Sequence, residues 1–62
     1  MKDFFGNELN VGDTVAFEQP RYRNLVLGTI VGFTAHNVRV IYVHQDRQFD
    51  YLTPPEHLIK RS

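Results

Sequence analysis

The segment Gln19-Pro20-Arg21-Tyr22-Arg23-Asn24 places two guanidinium groups around one aromatic ring. Arginine forks onto phosphate or carboxylate oxygens, and tyrosine stacks on a base or fills an apolar pocket. The triplet Arg21, Tyr22, Arg23 is therefore equipped to grip RNA or an acidic protein surface. The plainer alternative is that Tyr22 closes one end of a β-barrel while both arginines stay solvated, since exposed loop side chains are commonly neutral. Arg39 and Arg47 complete the candidate binding set, Arg39 within the apolar run Val38 to His44 and Arg47 in the break Gln45-Asp46-Arg47.

Other chemistries lack their parts. Nucleophilic catalysis needs a nucleophile, a base and an orienting group. Ser62 is the last residue, cysteine is absent, and the remaining hydroxyls, Thr14, Thr29, Thr34 and Thr53, sit in no recognisable motif. Gly28-Thr29-Ile30-Val31-Gly32 carries apolar residues where a nucleotide cradle needs free backbone donors and a lysine. His36, His44 and His57 fall in separate connections or strand ends without ligand-like spacing, and Asp46, Asp50 and Glu56 lack the dense oxygen alternation of a calcium loop. The expectation is a protein that is not an enzyme and uses neither metal nor cofactor.

Sixty-two residues make at most one domain, and a chain of this length buries only about 60% of the surface its unfolded form exposes. With no cysteine to form a disulfide, hydrophobic burial has to carry the fold, and five Phe and three Tyr supply the bulk. Cysteine-free composition suits a reducing cytoplasm, and no apolar stretch approaches the roughly 18 residues of a membrane span. The start, Met1-Lys2-Asp3-Phe4-Phe5-Gly6, lacks the apolar core of a secretory signal. A cytoplasmic protein without membrane contact is expected. Seven Lys/Arg balance seven Asp/Glu, which provides no overall field towards phosphate backbones and disfavours strong non-specific DNA binding.

The elements that must position the candidate residues are short. Turn residues at Gly6-Asn7, Gly12-Asp13, Gln19-Pro20, Ala35-His36-Asn37, Gln45-Asp46-Arg47 and Thr53-Pro54-Pro55 cut the chain into β-branched and aromatic segments too short for typical helices. Val11 to Glu18 reads as the first strand, with Val15 and Phe17 inward. Leu25 to Phe33 has no charge, and its glycines at 28 and 32 mark sites for a bulge or close backbone approach. Thr34 to Asn37, with Asn37 left-handed, leads into Val38 to His44, in which Val38, Val40 and Tyr42 face inward. Arg39, Ile41 and Val43 then face outward and give a partly apolar exterior beside Val31 or Val26, which is either an open interface or, the preferred expectation in a chain with so little core, covered by the Phe4-Phe5 arm. Gln48 to Leu52 is a further strand, Pro54 to His57 a single helical turn, and Leu58 to Lys60 the closing strand. The class is all-β, with residues 1–10 as an arm and residues 11–61 as the folded unit.

The order Val11-Gly12-Asp13-Thr14-Val15, loop, Leu27-Gly28-Thr29-Ile30-Val31, hairpin, Val38-Arg39-Val40 and a Pro-rich turn before Leu58-Ile59 resembles SH3-like barrels, including KOW-type domains, over roughly residues 9 to 61. The resemblance implies a five- or six-stranded SH3-like barrel with a one-turn helix before the last strand, and it puts Arg21-Tyr22-Arg23 in the long first loop. The opening, Asp3 to Asp13, is similar to that of small proteins of tailed bacteriophages, which implies the host cytoplasm as location. SH3-like domains grip nucleic acid or nucleoprotein in transcription and translation factors, or peptides in signalling modules. This chain lacks the tryptophan of a proline-peptide groove and the lysine-rich loops of ribosomal KOW proteins. The function expected is a small binding module for nucleic acid or a nucleoprotein complex. Its rivals are a protein-binding adaptor, such as a phage-encoded modulator of a host protein, and an assembly subunit that forms homo-oligomers through strand edges.

Overall fold

The computed structural model of the protein describes residues 1–19 and 24–61, and within them the chain is all-β. Strands β1 (Thr14–Glu18), β2 (Leu25–Phe33), β3 (Val38–His44), β4 (Arg47–Thr53) and β5 (Ile59–Lys60) form one five-stranded sheet in the order β4-β3-β2-β1-β5. Every pairing is antiparallel. A single 3₁₀ turn, Pro55–His57, precedes β5, and Leu58 behind it is fully buried.

β2 and β3 have the bounds their residue patterns predict, while β1 is shorter. Val11 and Gly12 lie in a turn, not in the strand. Asp13 Oδ2 accepts from Asn10 N at 2.8 Å, and Gly12, at φ +96°, donates its N–H to Ile30 O at 2.8 Å, so the chain meets β2 through the turn and the regular ladder begins only at Thr14. β4 is longer than the expected Gln48 to Leu52, because a two-residue turn lets pairing run out to His44↔Arg47.

Left-handed backbone falls elsewhere than at Asn37. The β2–β3 connection closes instead through the Thr34 hydroxyl, which accepts from Asn37 N at 3.0 Å while Thr34 N donates to Asn37 O at 2.8 Å. Among the described residues other than glycine, the positive φ values belong to Gln45 and Asp46, at 52° and 63°. Both central residues of a two-residue hairpin at positive φ are the signature of a type I′ turn, whose twist matches the strands it joins.

The core follows strand parity. Val15 and Phe17 on β1, Ile30 on β2, Val38, Val40 and Tyr42 on β3, and Leu9 and Leu58 from the flanking segments form one buried cluster. Gly28 is the close approach: a Cβ there would stand 2.8 Å from Phe17 Cε1 and 3.0 Å from Ile41 O. The β2–β3 register shifts between Ile30 and Gly32, a bulge that sets Gly32 opposite Arg39 and Phe33 opposite Val38. Phe17 on β1 stacks on Tyr51 of β4 with ring centroids 5.7 Å apart. Strands three places apart in a flat sheet lie about 14 Å from each other, so the sheet coils strongly around its core.

The N-terminal arm does not cover the outer face. It doubles back through the Lys2↔Glu8 bridge, sends Leu9 into the core, and runs along β5, where Phe4 N donates to Leu58 O at 2.8 Å. Phe4 and Phe5 remain 66% and 67% exposed, packed edge to face on each other at 5.1 Å. The cause is Asp3, whose buried carboxylate gathers N–H groups from both ends of the chain and fixes the arm at the β5 edge.

Candidate functional site

Arg21, Tyr22 and Arg23 lie outside the described residues. The base of their loop is defined: the Glu18↔Leu25 pair is followed by a bond from Gln19 N to Asn24 O at 3.1 Å. The Gln19 side chain is buried there, and its Oε1 finds no hydrogen-bond partner among the described residues.

Arg39 and Arg47 do not converge. Arg39 lies between Gly32 and Leu52 on the outer face of the sheet, half exposed, with Nη1 4.0 Å from Asp50 Oδ2. Arg47 opposes His44, and residues 47, 49 and 51 share the face on which Tyr42 lies. The two arginines thus address opposite sides of the sheet. Lys60, on the far edge, is held by Asp13 Oδ2 at 3.4 Å and by Glu8 O at 3.0 Å. The exposed Arg39–Asp50 pair adds little to stability, but it and the half-buried Lys60–Asp13 pair compensate cations that a phosphate backbone would need.

One row of the outer face is apolar. Ile59 on β5, Ala16 on β1 and Leu27 on β2 are successive cross-strand partners, and Val43 on β3 extends the row one residue beyond the Gly28↔Tyr42 pair. Leu27 is 50% and Val43 65% exposed. Next to this row runs a second, Thr14, Thr29, Ile41 and Asp50, again cross-strand partners. Thr14, Leu27, Thr29, Ile41 and Val43 line a shallow depression of about 270 Å³ between the rows. Ile41 and Val43 face outward as the alternation predicts. Their neighbours on β2 are Thr29 and Leu27, because Val26 packs against the core and Val31 sits at the bulge.

On the concave side an aromatic series runs from the core to the β4 edge. Tyr51 stacks on Phe17, Phe17 meets Tyr42 edge to face at 5.4 Å, and Tyr42 stacks on Phe49 at 5.5 Å. Phe49 is 38% exposed and Arg47 stands two residues away on the same side.

Asp3 is not among the residues that type and spacing single out. Its carboxylate accepts from Lys60 N at 2.7 Å, Asn7 N at 2.7 Å, Phe5 N at 2.9 Å and Asn7 Nδ2 at 3.3 Å. Burial pushes its pKa up, but these bonds outweigh burial and hold the carboxyl below the usual aspartate value. The legible signal was local: an aspartate before Gly6-Asn7 is the residue that closes such a turn.

Among the described residues no three His, Cys, Asp or Glu side chains stand close enough together to hold a metal ion. No helix among them is long and apolar enough to cross a membrane. A family model described as a domain of unknown function, DUF7205, matches residues 1–60. No curated protein and no solved structure matches the chain.

Proposed function

The chain belongs to the DUF7205 family, and we propose that it is a small non-enzymatic binding module whose outer sheet face docks on a partner protein. The observation that carries this reading is the open apolar row Ile59, Ala16, Leu27 and Val43, which spans four strands and is separated from Arg39 by the neighbouring row Thr14, Thr29, Ile41 and Asp50. Contiguous apolar surface rimmed by polar groups is characteristic of protein contacts, whereas isolated exposed apolar side chains need no explanation. Zero net charge and the pairing of Arg39 and Lys60 with acids favour a protein over a nucleic acid. Arg39 belongs to this face as a rim residue.

In finer architecture we read the sheet as an SH3-like barrel of KOW type. The order β4-β3-β2-β1-β5, the strong coiling, and one 3₁₀ turn before the last strand support that assignment. The likeness of residues 3–13 to phage proteins supports a partner in the host cytoplasm, with the protein acting as a modulator of that partner.

One observation favours nucleic acid as a second reading: Phe49, exposed at the end of the aromatic series, shares its face of the sheet with Arg47. Bases stack on such rings while arginines follow the backbone.

Affinity capture from the native cells, with and without nuclease and at low and high salt, separates the two. The protein reading expects a partner that survives nuclease, changes little with salt and is lost on Leu27→Asp. The nucleic-acid reading expects capture that vanishes with nuclease. In Arg21→Ala/Arg23→Ala, the removal of each phosphate-binding guanidinium then flattens the plot of log affinity against log salt by about 0.7 to 0.9.

A further inference from the structure

The two edges of the sheet are treated differently. At β5 the backbone N–H of Lys60 is taken by Asp3 Oδ2 and the carbonyl of Leu58 by Phe4 N, so the N-terminal arm occupies that edge. At β4 no such cover exists among the described residues. The two-residue turn makes His44 and Arg47 a hydrogen-bonded pair, and the alternation of an antiparallel ladder then points the backbone groups of Arg47, Phe49, Tyr51 and Thr53 at β3. Those of Gln48, Asp50 and Leu52 point away from the sheet. Unpaired donors and acceptors in a row are a template for another strand.

We propose that this edge pairs with the same edge of a second copy, in an antiparallel two-fold dimer centred on Phe49. Only residues with outward backbone groups can exchange bonds across the new interface, so even-numbered residues oppose even-numbered ones, and the two-fold axis falls on a residue. An axis on Asp50 sets two carboxylates directly opposite each other, which is unfavourable. An axis on Tyr51 sets Arg47 opposite Pro55 and Gln48 opposite Pro54, outside the strand. An axis on Phe49 sets Gln48 opposite Asp50 of the second copy and Arg47 opposite Tyr51 of the second copy, an amide–carboxylate and a cation–ring pair, each made twice. It also brings the two Phe49 rings together and removes both from water. The already occupied β5 edge excludes head-to-tail growth, so association stops at two. The outer faces of both copies stay open for the partner proposed above.

The absence of cysteine makes the register directly measurable. In this dimer Phe49 opposes Phe49 of the second copy at a non-hydrogen-bonded position, with Cβ atoms about 5 Å apart, close to disulfide geometry, whereas the two Tyr51 residues are offset by about 13 Å. Mild oxidation of Phe49→Cys should give a disulfide-linked dimer, and of Tyr51→Cys at least ~10-fold less. Sedimentation equilibrium of the unmodified protein should show twice the chain mass. Asp50→Pro, which removes an N–H that β3 does not use, should shift it to monomer with an unchanged far-UV spectrum. A wild-type monomer at all concentrations, equal cross-linking of the two cysteine variants, or a dimer that persists in folded Asp50→Pro would overturn the proposal.

Discussion

Asp3 accepts a 2.7 Å hydrogen bond from the backbone N–H of Lys60, fifty-seven residues away in the chain. With the bonds from Phe5 N and Asn7 N to the same carboxylate, it makes one buried side chain the knot between the N-terminal arm and the last strand. The arm is thereby diverted from the outer face and committed to the β5 edge. Openness of the one surface and closure of the other have a common cause.

Asp3→Asn keeps the shape but replaces an acceptor oxygen by a donor amide that faces N–H groups. It should cost about 3 kcal/mol at neutral pH, as expected when a charged buried acceptor is removed. Because the folded-state pKa is depressed, the contribution of Asp3 is complete above its unfolded value of about 3.8 and disappears as pH falls through the folded value. Urea unfolding at a series of pH values checks this: the gap between wild type and Asp3→Asn should be widest near neutrality and close in acid. A constant gap would deny the carboxylate its role.

Two glycines on the same strand should respond differently to a methyl group. At Gly28 a Cβ meets Phe17 Cε1 at 2.8 Å and the Ile41 carbonyl at 3.0 Å, and one of these is backbone that cannot turn aside. A Cβ added at Gly32 meets no atom of the described residues within 4 Å beyond its own chain neighbours. Gly28→Ala should cost about 1–3 kcal/mol by overpacking, and Gly32→Ala should be close to neutral. Equal thermal shifts would place Phe17 elsewhere.

Phe17 touches both Tyr42 and Tyr51 and joins the first strand to the fourth across the coiled sheet. Phe17→Ala should cost about 3–5 kcal/mol, which approaches the whole stability of a domain this small. Chemical denaturation of the variant checks it, and a near-neutral result would mean that the sheet does not coil.

Gln45 and Asp46 occupy left-handed backbone that neither residue type favours as Asn-Gly would. Gln45→Asn/Asp46→Gly should raise stability by about 1 kcal/mol without altering the contacts of β3 and β4. A thermal melt lower than wild type would contradict a turn with positive φ at both positions.

Strand identity was legible because β-branched and aromatic residues fill β2 and β3 between clear turn residues, and parity alone sorted Val38, Val40 and Tyr42 from Arg39, Ile41 and Val43. Gly28 and Gly32 announced a close approach and a bulge, and the structure holds one of each. The turns were less legible. Asn37 is the better left-handed residue in isolation, but the Thr34 hydroxyl satisfies that connection, and the short β3–β4 hairpin forces Gln45 and Asp46 into the strain instead. Arg39 and Arg47 looked like parts of one surface because sequence gives parity within a strand and not the register between strands. Asp3 escaped notice because its main partner, Lys60, is remote in sequence and contributes only a backbone N–H. The apolar outer row was half visible, since the uncharged β2 already exceeds what a half-solvated strand needs.

The claim that the row Ile59, Ala16, Leu27 and Val43 is the docking surface is tested most directly by the affinity of the captured partner for wild type and for Leu27→Asp/Val43→Asp. Both positions are exposed, so the melting temperature should move by no more than the shift expected of ordinary surface changes, about 0.5 kcal/mol per site. Two charges placed in the centre of an apolar contact should weaken binding at least ~30-fold, in line with the cost of disrupting interface hot spots. A folded double variant that binds with wild-type affinity would contradict the account and move the site to the Phe49 and Arg47 side of the sheet.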